Sequence, residues 1–215
     1  AGQDTSAATL SWTLHLLSLY PAIQDKLARE VQTVLGGSNT RDEPFVTKKV
    51  ISSLSFLDAV IKESMRLYPV APFVVRNLPS PVSMKNEETN KPPTVLPAGS
   101  IACIWIYGLH RNPQFWNRPN DFVPERWLDP ELRDEGITFG AYIPFAIGPR
   151  NCVGQPLANI ILRGLLARLI HRYEFRCDDL TPDTDPASLR KDMQVGFTVL
   201  PKGGVKLSVH DRIPC

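Results

Sequence analysis

The chain has 215 residues, 43% hydrophobic and 21% charged, enough to bury a core and in the range of globular proteins. Its 24 basic and 22 acidic side chains leave a net charge of +2, which excludes a nucleic-acid binder built on broad phosphate neutralisation. Four cysteines, Cys103, Cys152, Cys177 and Cys215, lack CxxC spacing and paired histidines, so a zinc ribbon or thioredoxin-like site has no support and reduced thiols are expected.

Leu10, Leu14 and Leu17, with Trp12 and Leu16 widening the stripe, predict a helix over 7–19. Helical periodicity is already running at the first residue, which is not methionine. The expectation is therefore a fragment cut inside a helix, with any membrane anchor upstream. Pro21 suits the first turn of a second helix to Leu35, with Ile23, Leu27, Val31 and Val34 on one face and Asp25, Lys26, Arg29 and Glu30 on the other. A third helix is predicted over Ser53 to Tyr68, with Leu57, Val60, Ile61, Ser64 and Met65 inward and Pro69 as its stop.

The 20 prolines cluster between residues 69 and 130, which predicts turns, short strands and loops through the middle of the chain. "APFVVRNL" reads as extended, and "TVLPAGSIACIWIYGL" as two strands joined by a tight Pro-Ala-Gly-Ser turn. Residues 107–150 read as loops pinned by proline and aromatic residues. A last long helix is expected from Gln155 to Tyr173, with Leu157, Ile160, Ile161, Leu165 and Ile170 toward the core, and "GFTVLPKGGVKLSV" as a hairpin around "PKGG". Neither "TLSWTLHLLSLY" nor "NIILRGLLARLI" has the ~20 uninterrupted apolar residues of a membrane span.

Three segments hold residue types that do chemistry. In "PFAIGPRNCVGQPLA", Cys152 falls just before a predicted helix start, where unpaired N–H groups and the helix dipole favour a thiolate. Gly154 leaves room for backbone N–H groups near the sulfur, Gly148 lets the loop turn sharply or lie against a flat ligand, and Arg150 is placed to meet a carboxylate. Taken alone, Cys152 is equally a small buried residue in a Gly-containing loop. In "KESMRLYP", Glu63 and Arg66 are helix neighbours; alone they are an exposed ion pair, but Arg126 of "FVPERW" can complete a buried triad. In "AGQDTS", Asp4 and Thr5 are costly inside an apolar helix unless paired. Thr5 either bonds back to the Ala1 carbonyl or, with Asp4, relays protons beside a ligand for which Ala1 and Gly2 leave room.

Together and in this order, these segments resemble the cytochrome P-450 superfamily of haem-thiolate monooxygenases. Phe145, Gly148, Arg150, Cys152 and Gly154 match its F-x-x-G-x-R-x-C-x-G haem loop. "ESMR" matches the E-x-x-R of its K helix, "FVPERW" its P-E-R segment, and "AGQDTS" its A-G-x-[DE]-T segment in the I helix. The sequence departs from the pattern at Ala146, where Ser or Gly is more usual, and at Ser6, where many members carry a second Thr.

The resemblance implies a mainly α fold with small β-sheets: the end of the I helix, the J and K helices, β hairpins, the haem loop and the L helix. Residues 1–215 would be the C-terminal portion of one domain. It implies haem b, with Cys152 as proximal thiolate, Arg150 and Arg76 paired with propionates, and Phe145 packed beside the ring. Asp4 and Thr5 would deliver protons during O2 activation, and Glu63, Arg66 and Arg126 would fix the loop that carries Cys152. Ala1, Val70, Ala71, Phe73, Val74, Val195, Gly196 and Phe197 would line a pocket for a lipophilic, lipid-like substrate. Electrons would come from NADPH through a redox partner such as a flavoprotein reductase. The full-length protein would sit on the cytosolic face of the endoplasmic reticulum membrane, held through the missing N-terminal part.

His15, His110, His171 and His210 are scattered without metal-ligand spacing and are expected to be structural or surface residues. Two other readings stay open. One is an O2-independent haem-thiolate isomerase or dehydratase, against which the intact Asp4-Thr5 pair argues. The other is a truncated, non-enzymatic product, and these 215 residues by themselves are expected to show no Soret band when haem is supplied.

Overall fold

The computed structural model describes residues 2–36, 47–84, 92–132, 134–138, 140–196 and 198–212. Four helices supply most of the core: α1 (Gly2–Leu19), α2 (Pro21–Leu35), α4 (Ser55–Leu67) and α7 (Gln155–Arg172), with the short α3 (Lys48–Ser53) beside them. Trp12, Leu16 and Leu17 of α1 meet Leu27 and Val31 of α2, Leu57, Val60 and Ile61 of α4, and Leu162, Leu166 and Ile170 of α7. Trp12 also stacks on Tyr68 at 3.8 Å, and its indole N–H donates to the Val199 carbonyl at 3.0 Å. No described helix is long and apolar enough to cross a membrane.

The second and fourth helices follow the sequence periodicity, because each has one clearly apolar face; α1 is buried on most sides along its C-terminal half, with Leu10 and Leu14 only half-buried. Ser53 closes α3 instead of opening α4, and Leu54, at φ −84° and ψ 81°, breaks the run between them. Thr47 caps α3 by accepting the Val50 N–H at 3.2 Å. The start of α4 is capped from outside: the Glu30 carboxylate of α2 accepts the N–H groups of Phe56 (2.7 Å) and Leu57 (2.9 Å).

The predicted core face of α7 is largely wrong. Leu162, Leu166, Ala167 and Ile170 are buried, whereas Leu157, Ile160, Ile161 and Leu165 are exposed. Apolar residues stand almost all round this helix, so their spacing does not single out a face.

Among the described residues the strands form four antiparallel pairs. After α4 come β1 (Val74–Asn77), β2 (Val82–Met84), β3 (Thr94–Leu96) and β4 (Ile101–Ile104), with β2–β3 nested inside β1–β4. The expected tight turn at Pro97–Ser100 is present, with Gly99 at φ 80°, but the strands on either side of it do not pair with each other. The Gly99 N–H donates to Leu78 and the Leu78 N–H to Ser100, which steers β4 onto β1.

The proline-rich stretch contains α5 (Ile106–Leu109) and a 3-10 turn at Pro124–Trp127, and α6 (Glu135–Thr138) follows it. Beyond α7, β5 (Tyr173–Arg176) pairs with β8 (Ser208–Asp211), and β6 (Met193–Val195) pairs with β7 (Val199–Pro201). The hairpin bend therefore lies between Val195 and Val199 and not at "PKGG". There, Gly203 and Gly204 both have positive φ and turn the chain away from β7 toward β8.

Candidate functional site

A cavity of about 350 Å³ opens between the N-terminal half of α1, the start of α7 and the loop before it. Thr5, Ser6 and Thr9 line it from α1, and Phe145, Ala146, Arg150 and Cys152 from the loop. Met65, Val70, Ala71, Val74 and Ile106 give an apolar wall, and Arg76 of β1 reaches the same space.

The cysteine loop is closed by backbone bonds: Cys152 N–H to the Phe145 carbonyl at 2.9 Å, and Asn151 N–H to the Gly148 carbonyl at 3.0 Å. Gly148 sits at φ 83° with nothing within 4 Å of an added Cβ, so backbone geometry demands glycine there although space does not. Ala146 adopts φ 59°, a left-handed conformation that costs an alanine about 1 kcal/mol. Gly154 is different. Its φ is −83° and a Cβ would meet the Cys152 sulfur at 3.8 Å, an ordinary contact, so no steric need for glycine exists at that position. Cys152 itself is exposed and stands just ahead of α7, whose first N–H groups lack intrahelical partners.

Glu63 and Arg66 are both fully buried. They pair bidentately, with Arg66 Nε and Nη2 each 2.9 Å from a carboxylate oxygen. Arg66 spends its remaining donors on the carbonyls of His110 (2.9 Å), Pro119 (2.7 Å) and Asp121 (3.0 Å). Glu63 also accepts from Arg126 Nε (3.1 Å), the Val123 N–H (3.1 Å) and the Trp127 indole (3.0 Å). Burial lowers the Arg126 pKa, and the neighbouring Glu63 carboxylate opposes that shift.

The sequence reading missed the fourth member. Asp134 pairs with Arg126 Nη1 and accepts the Asn117 N–H at 2.8 Å, so two buried carboxylates balance two guanidiniums. Only an acid in an irregular loop marked it in the sequence.

His110 was read as structural, and its surroundings agree. Its Nε2 accepts the Ile143 N–H at 2.9 Å, anchoring the loop just before Phe145, and burial pushes its pKa down to about 3. His15 accepts the Lys191 N–H at 3.1 Å, and its pKa falls to about 4 through burial and then the charges of Lys191 and Arg190. Among the described residues no group of three or more His, Cys, Asp or Glu could hold a metal ion.

Of the remaining expected site residues, Thr5 is on the cavity wall, with its hydroxyl donating to the Gly2 carbonyl at 3.3 Å, one residue along from the predicted Ala1 acceptor. Asp4 is exposed and outside the lining. Phe73, just before β1, is 46% exposed and outside the cavity lining, and Val195 and Gly196 are exposed and also outside it. Within β1, strand alternation turns Val74 and Arg76 toward the cavity and leaves Val75 exposed. Ala1 and Phe197 lie outside the described residues.

A family model described as Cytochrome P450 matches residues 1–205. Cytochrome P450 4d8 of Drosophila melanogaster is 37% identical over 98% of this chain and 42% of its own length. Cytochrome P450 3A6 of Oryctolagus cuniculus is 35% identical over 82% of this chain and 32% of its own. Taurochenodeoxycholic 6 alpha-hydroxylase of Sus scrofa is 33% identical over 100% of this chain and 38% of its own. The chain thus spans well under half the length of these relatives.

Proposed function

The chain belongs to the cytochrome P450 family, and on that premise we propose that it is the cofactor-bearing C-terminal part of a haem-thiolate monooxygenase. The observation that carries this reading is that Thr5, near one end of the chain, and Cys152, in its last third, line one cavity.

The residues present suit a haem. The cavity offers one thiol donor, Cys152, two guanidiniums in Arg76 and Arg150 for two propionates, and otherwise mostly apolar walls. Phe145, on the cavity wall, would pack beside the ring, and Gly148 and Ala146 shape the loop that carries Cys152. When bound, the haem supplies the redox centre at which O2 is activated. Cys152, just ahead of α7, would contribute the thiolate ligand. Thr5 holds a hydroxyl proton at the cavity wall, and Asp4, the residue before it, is exposed to solvent. Glu63, Arg66, Arg126 and Asp134 hold the segment leading to the sulfur, and His110 pins it again at Ile143.

The substrate is lipophilic: Val70, Ala71 and Val74 form the apolar wall beside Thr5, and one relative is named as a 6 alpha-hydroxylase. Electrons come from NADPH through an external flavoprotein reductase, and the full-length protein works at the cytosolic face of the endoplasmic reticulum membrane. The isolated 215 residues are expected not to hold haem by themselves. The test supplies the full-length protein with reductase, NADPH, isotopically labelled O2 and a panel of fatty acids and sterols. One labelled oxygen atom in the product is expected; product formation without NADPH or O2 contradicts the assignment.

A further inference from the structure

Helix α4 holds the segment that carries Cys152 at both ends. At its start, Glu63 takes hydrogen bonds from Val123, Arg126 and Trp127. At its end, Arg163 of α7 pairs with Asp58 of α4, and Lys62, one turn along α4, shares that carboxylate at 2.8 Å. This second tie belongs neither to the Glu63 network nor to any segment that carried the family resemblance.

Its position on α7 matters. From Gln155 to Ile161 no residue is buried, and Leu162 is the first that is. The turns that follow the sulfur are therefore not keyed into the core by apolar side chains. Gln155, Asn159 and Arg163, four apart, share a helix face directed at Asp58 and Lys62. Between the two faces lies a second cavity of about 140 Å³, bounded on a third side by Tyr142 to Ala146. Across this gap the first turns of α7 lack the close packing on α4 that Leu162 and Leu166 supply further along. The Arg163–Asp58 pair, with side chains only 27% and 24% exposed, spans that gap.

We propose that Asp58 and Arg163 are a positioning pair: they set the N-terminal end of α7 against α4 and thereby fix where the Cys152 sulfur stands in the cofactor cavity. The consequence for the thiolate rests on Cys152 being the haem ligand; the consequence for the helix does not.

The test uses the full-length, haem-loaded protein and the variants Asp58→Asn, Arg163→Gln, Arg163→Lys and the Asp58→Asn/Arg163→Gln double. Because the pair keeps partial exposure, each neutralisation should leave the protein folded. Amide hydrogen exchange across residues 152–161 is expected to quicken about two- to five-fold in the two neutralised variants and to stay near wild type in Arg163→Lys. The same two variants should shift part of the reduced carbon monoxide complex from the thiolate-type to the thiol-type band, and the double variant should be no worse than either single. Wild-type exchange together with an unchanged band in both neutralised variants overturns the proposal, as do additive losses in the double. A wrong ligand assignment shows separately, as a thiolate-type band that survives Cys152→Ser, while exchange still reports on the pair.

Discussion

At Thr5 the two readings of one hydroxyl meet. It bonds back to the Gly2 carbonyl at 3.3 Å, as an unremarkable helix threonine would, and it also lines the cavity. A relay role predicts that Thr5→Ala in the full-length enzyme raises peroxide release relative to product; unchanged coupling removes Thr5 from proton delivery. Ala146 gives a second residue-scale prediction. Its φ of 59° stores about 1 kcal/mol, and glycine would relieve that strain while losing roughly 0.5–1 kcal/mol through a freer unfolded chain. Ala146→Gly should therefore lie within about 0.5 kcal/mol of wild type, whereas β-branched Ala146→Val should lose more than about 1 kcal/mol in denaturant titration. The sequence marked position 146 as a departure from the family pattern, but nothing in it told that the backbone there is left-handed.

At the scale of elements, what was legible depended on whether the signal is local. The faces of α2 and α4 were readable because polar and apolar residues separate cleanly on them, as with Asp25 and Arg29 against Leu27 and Val31. The face of α7 was not, since Leu157 and Leu162 are equally apolar and only tertiary packing chooses between them. Strand pairing failed in the same way: the turns at Pro97–Ser100 and at Gly203–Gly204 were readable, but their partners depend on contacts distant in sequence. Glu63 and Arg66 stood out by their spacing, while Asp134 reaches Arg126 from an irregular loop that no periodicity describes. With Asp134 removed, the buried network keeps an uncompensated positive charge, so Asp134→Asn should cost about 3 kcal/mol by denaturant titration. A loss below about 1 kcal/mol would show that Asp134 is not part of the charge balance.

For the whole molecule, buried neutral histidines set an acid limit: burial lowers His171 as well, and His15 and His110 fall furthest. His15 and His110 titrate at about 4 and about 3 in the fold, against 6.5 for the unperturbed side chain. Between these values the unfolded chain binds protons that the folded chain refuses. The stability from keeping both rings neutral is complete above pH 6.5 and is lost as pH falls toward 4 and then 3, at about 1.4 kcal/mol per unit for each histidine. Denaturant titrations near pH 7.5 and pH 5.5 should differ by about 2–3 kcal/mol, with lower stability in acid. Equal stability at both would mean that the rings are not held neutral.

The same architecture that buries these rings also brings α1, α4, β1 and the start of α7 around one cavity, with a single thiol in its wall. The most direct measurement is the absorbance of the reduced, carbon monoxide-bound full-length protein, wild type against Cys152→Ser. A thiolate-type band in the wild type that disappears in the variant is expected. The same band in both proteins, or its absence from the wild type, contradicts haem ligation by Cys152.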